Sequence, residues 1–371
     1  QICRCVMKEY PLVPLGTLIS QAKKVRCGEE DYPVLSMTMH NGLIFQDKKF
    51  KKVIASQDRS NYKVVYRNQL VISFPIDEGV LAAQRITDAG IVSPAYGIWD
   101  IDQEKILPEF LECALRCERA LNYYKSKLRG STARRRSLPT STLLAFNVPL
   151  PSISEQLNVL AIVHKLKSVI DTRKEEINIL DKLVKARFVE MFEGGENQWG
   201  QKKLVECCNN KNDIKCGPFG SQLHVEDYQN VGIPVYGIPE VNSGFKTNPK
   251  LYVSRLKAEE LSSYNLIPGD VAVSRKGNVG QAALFHDELK NGIIHSDVLR
   301  IRLNEQILNP LFLIGELHFS QGIRNQVMQA SNGAIMPGTN VTKLKKIIID
   351  VPPLSMQMKY STLVQQVEKS K

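Results

Sequence analysis

Residues 149–192 read PLPSISEQLNVLAIVHKLKSVIDTRKEEINILDKLVKARFVEMF. After Pro151 the stretch holds neither proline nor glycine and is rich in leucine, isoleucine, lysine and glutamate. Val163, Ile170, Ile177, Val184 and Met191 recur every seven residues, and Leu166, Arg173, Leu180 and Arg187 form a second such row offset by three. That a/d pattern predicts a long helix with a narrow partner-facing seam. Pro149 and Pro151 suit its start, Ser152 or Ser154 can cap it, and Gly194-Gly195 is a stop signal. A helix of roughly 39 residues at ~1.5 Å rise would be near 58 Å long. Arg173 and Arg187 stand at d positions, so the seam is not purely apolar.

The charge divides around this stretch. The 371-residue chain carries +11 overall. Residues 1–151 carry +7 and residues 194–371 carry +4, whereas 152–193 hold seven basic and seven acidic groups. A neutral spacer between two basic regions suggests two places for a polyanion. No apolar run is long enough to span a bilayer, and residues 1–10 show no signal-peptide pattern, so a cytoplasmic protein without membrane contact is expected. Cys3, Cys5, Cys27, Cys113, Cys117, Cys207, Cys208 and Cys216 show no disulfide-framework spacing and no CxxC, which fits reduced thiols.

Both flanks follow one plan. In the first, 13–19, 32–37, 43–46, 62–66 and 70–74 are strand-like, and 108–128, with Pro108 near its start, is expected to be one helix. In the second, YVSRL, IPGDVAVSR and IIHSDVLRIRL are strand-like and 309–328 is helical behind Pro310. The halves align: LVIS (70–73) with VAVS (271–274), IVSPAYGIWDID (91–102) with IIHSDVLRIRLN (293–304), ILPEFL with ILNPLFL, and FNVPLPSISEQ with IDVPPLSMQMK. The offset stays within 201–203 residues, the mark of an internal duplication. The expected fold class is α+β: two duplicated mixed α/β domains, 1–150 and 195–352, separated by long helices that pair as an antiparallel coiled coil. The first helix occupies 151–194. The second opens at 353 and the sequence closes at Lys371, a truncated copy on this reading.

No phosphate-binding GxxxxGK[ST], dinucleotide GxGxxG, amino-methyltransferase [NDS]PPY, HExxH, zinc-finger or GxSxG pattern is present. His164 lies in the long helix and is expected at its surface or seam; His286 and His295 lack a paired nucleophile and carboxylate. A catalytic site and a bound metal are therefore not expected.

Features suited to nucleic acid are clearer. No acidic residue lies between Glu118 and Glu155, yet Arg129, Arg134, Arg135 and Arg136 fall there with Ser131, behind a helix carrying Tyr123 and Tyr124. Arginine forks suit phosphates and guanine edges, and hydroxyls suit phosphates. In the second half, KCGPFGSQL (215–223) offers Lys215, Phe219 and Ser221; SRKGNVGQ (274–281) offers Arg275, Lys276 and Asn278; QASNGAIMPGTN (329–340) offers Asn332. Glycines in these turns permit close backbone approach.

The proline-led EQ opening, the heptad helix, its F-x-E-M-F ending and the repeat after a second domain resemble the specificity subunit of type I restriction–modification enzymes. GPFGSQL, SRKGNVGQ, HSDVLRIR and VPPL look like that family's target-recognition-domain motifs; the first half has no GPFGS equivalent. The resemblance implies a non-catalytic DNA reader, each domain recognising one half of a bipartite, asymmetric site on double-stranded DNA. The helices, through Val163, Ile170, Arg173, Ile177, Leu180, Val184 and Arg187, would set the spacer and dock two methyltransferase subunits, with restriction/translocase subunits joining them. It implies no cofactor on this chain: S-adenosylmethionine, ATP and magnesium belong to the partners. The competing reading is a DNA methyltransferase or nuclease whose motifs are unrecognised.

Overall fold

The computed structural model describes residues 10–46, 59–128, 138–193, 199–276, 280–331 and 340–371. Two compact units, 1–172 and 173–371, divide within the long helix.

In the first unit, strand Leu12–Pro14 pairs antiparallel with Asn147–Pro149, so the segment before the long helix is tied to the beginning of the domain. A four-stranded antiparallel sheet runs in the order Ile19–Gln21, Gly97–Ile101, Leu70–Ile72, Leu81–Ala83. Among the described residues two further antiparallel pairs, Leu35–Thr38 with Gly42–Phe45 and Lys63–Tyr66 with Ala89–Val92, complete its strands. Leu70, Trp99, Leu111, Leu115, Tyr124 and Val148 form the core between the four-stranded sheet and the helices.

The second unit repeats this order. Gly200–Lys203 pairs with Ile348–Val351, and the four-stranded antiparallel sheet is Ile214–Cys216, Val298–Ile301, Val271–Ser274, Ala282–Leu284. The central registers agree: Leu70 faces Trp99 and Val271 faces Ile301, offsets of 201 and 202. The halves differ in what stands beside this sheet. The second has a five-stranded sheet, Tyr228–Gln229, Leu251–Val253, Ile233–Tyr236, Gly292–Ile294, Asn265–Leu266, with one parallel pair at its centre.

The helix expected over 108–128 is two, Pro108–Leu115 and Glu118–Lys127, and that over 309–328 is Pro310–Phe319 and Gln321–Ser331. Cys117 and Ser320 are extended at the two breaks. The break lets both segments face one core: Tyr124 is fully buried and its hydroxyl donates to the Leu115 carbonyl, one of those the helix end leaves unpaired. In the second copy the Arg324 guanidinium takes the His318 carbonyl. Tertiary satisfaction of these ends overrides a helical pattern that is continuous in sequence. Cys113 consequently lies in the first helix and Cys117 at the extended break that opens the second.

The long helix spans Ile153–Phe188 and ends in a π-helical turn, Val189–Glu193. Ser152 caps it reciprocally with Glu155: the Glu155 amide approaches Ser152 Oγ at 3.4 Å, and Glu155 Oε2 accepts from the Ser152 amide at 3.1 Å. In the second unit Val184, Phe188 and Phe192 enter the core, where Phe192 meets Phe312 at 4.8 Å and Phe188 meets Tyr360 at 5.5 Å between ring centroids. The helix Leu354–Ser370 runs antiparallel to this portion: Tyr360 lies at Phe188 and Phe192, while Lys371 Nζ reaches Asp181 at 2.6 Å.

The seam differs from a strict heptad. Leu180 is half-buried and Val184 buried, but the next buried side chain is Phe188, not Arg187. An i, i+4 face, rather than a 3.5-residue stripe, is what a straight helix presents to a globular core. Arg187 and Arg173 are exposed and pair along the helix with Glu190 (2.7 Å) and Glu176 (2.6 Å). Val163 is half-buried, whereas Leu166, Ile170 and Ile177 are exposed. Gly194-Gly195 lies outside the described residues.

Candidate nucleic-acid interface

In the second unit three loops meet at one edge of the four-stranded sheet: the turn after Ile214–Cys216, the segment after Val271–Ser274, and His295–Asp297 before Val298–Ile301. Gly217 makes the meeting close. A Cβ there would stand 2.2 Å from the His295 carbonyl oxygen, so only glycine lets the two chains pass. The close approach expected of this glycine is thus to the protein's own backbone.

Arg275 is fixed from several sides. Its amide donates to the Asp297 carbonyl at 2.9 Å, its Nη1 donates to the Ser296 carbonyl at 3.0 Å, and its guanidinium lies 5.4 Å from the centre of the exposed Phe219 ring. Lys276 Nζ pairs with Asp297 Oδ1 at 2.8 Å. The Asp297 amide donates to His295 Nδ1 at 3.2 Å, which leaves the imidazole proton on Nε2. Ser274, buried, donates to Asn242 Oδ1. A cavity of about 420 Å³ adjoins the cluster, lined by Gly237, Glu240, Lys250, Leu251, His295 and Asp297 among others.

Lys215 is separated from this group by strand alternation. Cys216 faces Arg275, so Lys215 takes the other face and lies 4.3 Å from the Tyr264 ring centre. Burial holds its ammonium below the usual lysine range, and the Arg300 charge adds to this. Ser221 is exposed on the turn that carries Phe219. Asn278 and Asn332 lie outside the described residues, as do Arg129, Ser131, Arg134, Arg135 and Arg136.

Tyr123 and Tyr124 are not displayed for stacking on bases. Tyr124 is buried, and Tyr123 packs at 5.1 Å on Phe146 and donates to the Thr142 carbonyl. Arg119, though exposed, is engaged by its own domain, its guanidinium 5.0 Å from the Phe146 ring and bonded to the Asn147 carbonyl. His164 pairs with Glu109 at 2.8 Å on the surface. His295, Ser296, Asp297 and Asn242 complete the second-unit cluster, while Tyr264 stands with Lys215 on the other face. The HSD tripeptide was the one signal in the sequence that pointed to the first three, and it names no partner for any of them.

The cluster offers donors from Arg275, Lys276 and His295, an acceptor in Asp297, and an exposed ring. A carboxylate amid cations weakens phosphate attraction but adds an acceptor for the amino groups of cytosine or adenine, so the set suits base edges more than backbone. Among the described residues no three His, Cys, Asp or Glu side chains gather as metal ligands, and no helix is long and apolar enough to cross a membrane.

Residues 197–371 match the family model of the type I restriction modification DNA specificity domain. A putative type I restriction enzyme MjaX specificity subunit from Methanocaldococcus jannaschii is 26% identical over 140 residues, 36% of this chain and 32% of that protein, so the match spans about a third of the relative's length. The fold is shared with a chain from a structural study of complex assembly and conformational transition of the type I R-M system, at TM-score 0.55 and 17% identity, covering 98% of this chain and 93% of that one. It is also shared with the type I restriction–modification S subunit from M. genitalium, at TM-score 0.52 and 15% identity, covering 98% and 91%. Residues 197–371 therefore belong to the type I restriction–modification DNA specificity family, in a chain whose fold throughout is that of the family's S subunits.

Proposed function

We propose that the chain is the non-catalytic, sequence-specific DNA-binding subunit of a type I restriction–modification system. It reads a bipartite, asymmetric site on double-stranded DNA, one half per domain. It directs partner methyltransferase and restriction subunits to that site, and those subunits supply S-adenosylmethionine, ATP and magnesium chemistry in the cytoplasm. One observation carries this: a single sheet order occurs twice in one chain, with different side chains in the loops at its edge. Two unlike readers on one scaffold suit two unlike half-sites, whereas identical copies would suit a palindrome. The long helix between them is the spacer, and its exposed residues Leu166, Ile170 and Ile177 are available to methyltransferase subunits.

Methylome sequencing of a host carrying this subunit with its methyltransferase tests the reading, because it reports both half-sites and the gap together. Two unrelated half-sites at fixed spacing are expected; methylation without a bipartite motif would sink the proposal. Incubating the pure chain with labelled S-adenosylmethionine and DNA tests the competing enzyme, and methyl transfer by the chain alone would establish it.

A further inference from the structure

Among the described residues two phenylalanines are exposed, Phe74 at 60% and Phe219 at 53%. An exposed aromatic ring that leaves its apolar faces in water is common where a surface meets a partner. Both rings stand at the same edge of the duplicated sheet. The Ser73 amide bonds the Val80 carbonyl at 3.0 Å, as the Ser274 amide bonds that of Gln281 at 2.8 Å, an offset of 201 at both ends. The same offset puts Phe74 at the position of Arg275. Where the second domain lays a guanidinium on a ring, the first places a ring alone.

The first domain takes its cations from other strands. Ile72 faces Gly97, which brings Tyr96 to this strand end, and Lys63 Nζ donates to the Tyr96 carbonyl at 2.6 Å. Burial holds the Lys63 ammonium below the usual lysine range, and the like charge of Lys24 adds to the depression. No described carboxylate pairs with either lysine. Asp77 and Glu78, close in sequence to Phe74, sit in the turn that packs on helix Glu118–Lys127. Lys276, by contrast, is already paired with Asp297 in the second domain.

We propose that the first domain reads DNA through this edge, with Phe74 against base edges or a thymine methyl in the groove and Lys24 and Lys63 each holding a neighbouring backbone phosphate. The proposal rests on the DNA-reading function above and adds to it a site separate from the Arg-rich segment 129–136. It also makes the two domains unlike in kind: the second meets DNA with a ring, a fixed guanidinium and an acid, the first with a ring and lysines.

The full chain is titrated against random-sequence duplex DNA by fluorescence anisotropy over a salt series. Each phosphate contact contributes about 0.9 to the slope of log affinity against log salt. Lys24→Gln with Lys63→Gln is expected to lower that slope by about one to two, and Lys24→Gln alone, at an exposed position whose change cannot unfold the domain, by about one. Phe74→Ala is expected to leave the slope unchanged and, in a host carrying the complete methylating complex, to alter or relax the first half-site while the second stays as it was. Unchanged slope and affinity in the lysine variants, with a parent chain that binds, would overturn the site and leave the DNA-reading function standing. Two unaltered half-sites with Phe74→Ala would remove Phe74 from it. A parent chain that binds no duplex would overturn both the function and the site.

Discussion

Gln156 and Gln357 are buried in the same three hydrogen bonds, one in each half of the chain. Gln156 Oε1 accepts from the Leu107 amide at 2.8 Å, and its Nε2 donates to the carbonyls of Lys105 (3.0 Å) and Pro151 (2.9 Å). Gln357 Oε1 accepts from the Asn309 amide at 2.8 Å, and its Nε2 donates to the carbonyls of Ile307 (3.2 Å) and Pro352 (2.8 Å). Each glutamine ties the first turn of its helix to the loop that leads into the proline-started helix of its own domain. The neighbouring Glu155 is not repeated, since Met356 stands before Gln357. That follows from their roles: Glu155 caps a surface turn, which a helix can lose cheaply, whereas the glutamine satisfies buried backbone groups.

Gln156→Leu or Gln357→Leu is therefore expected to destabilise the chain by about 3 kcal/mol or more, because a buried amide and two carbonyls lose their partners at about 1–3 kcal/mol for each group left unsatisfied. Glu155→Ala should cost only ~1 kcal/mol, the usual value of a helix cap. Urea unfolding of the three variants checks the ranking. Equal losses would mean that the glutamines act only as caps.

Gly315 is the second place where the chain's choice is steric. A Cβ there would stand 2.8 Å from Phe188 Cδ2 and 2.9 Å from Tyr360 Oη. Gly315→Ala gains about 1 kcal/mol of helix propensity but overpacks rings that a dense core holds in place, at about 1–3 kcal/mol. A net loss is expected for Gly315→Ala alone. In a Phe188→Leu background, with the nearest ring atoms gone, the same change should become neutral or stabilising. A double-mutant cycle by denaturant unfolding measures this coupling, and additive effects would contradict it.

Two groups on one helix of the second unit give stability opposite pH dependences. Burial pushes the Glu316 carboxyl from 4.5 up to about 8, with the charges of Asp350 and Glu193 adding. Its folded pKa is raised, so its contribution is complete below 4.5 and is lost as pH rises toward about 8. Burial pulls His318 from 6.5 down to about 4, and its Nε2 accepts the Ala282 amide, which fits a neutral imidazole. That contribution is complete above 6.5 and lost as pH falls toward about 4. Glu316→Gln should flatten the decline of the melting temperature on the alkaline side and leave the acid side unchanged. An alkaline decline as steep as the parent's would place its cause elsewhere.

The duplication was legible because proline, a short apolar strand and a polar cap are local signals. Pro108 and Pro310 start helices as their spacing implies, and the offset of 201 that aligns Leu70 with Val271 lies within one residue of the 202 that aligns their partners across the sheet. Three things were not legible. The heptad rows put Arg187 on the seam, but four-residue stepping into a globular core buries Phe188, a choice made by Phe312 and Tyr360 far along the chain. The breaks at Cys117 and Ser320 depend on side chains that satisfy helix ends, which periodicity does not report. The edge cluster joins residues as far apart as Phe219, Arg275 and Asp297, and its counterpart at Phe74 carries no motif because an exposed ring beside lysines has no fixed spacing.

The long helix allows the spacer to be changed without disturbing either core. Between Arg173 and Ile179 every side chain is exposed, and the first partly buried one after them is Leu180. Seven residues inserted after Lys174 lengthen the helix by about 10.5 Å and return the following face to within about 20° of its former direction. The buried side chains on both sides therefore keep their partners, and folding stability should change by under about 1 kcal/mol, as for other exposed helical positions. At about 3.4 Å per base pair, the unspecified gap in the methylated site should grow by roughly three base pairs, while both half-sites stay the same. A four-residue insertion rotates the face by about 40° as well as lengthening it by about 6 Å, and it should reduce methylation rather than shift the gap cleanly. Methylome sequencing of hosts carrying each insertion reads the outcome. Altered half-sites with an unaltered gap would show that the helix does not set the spacing.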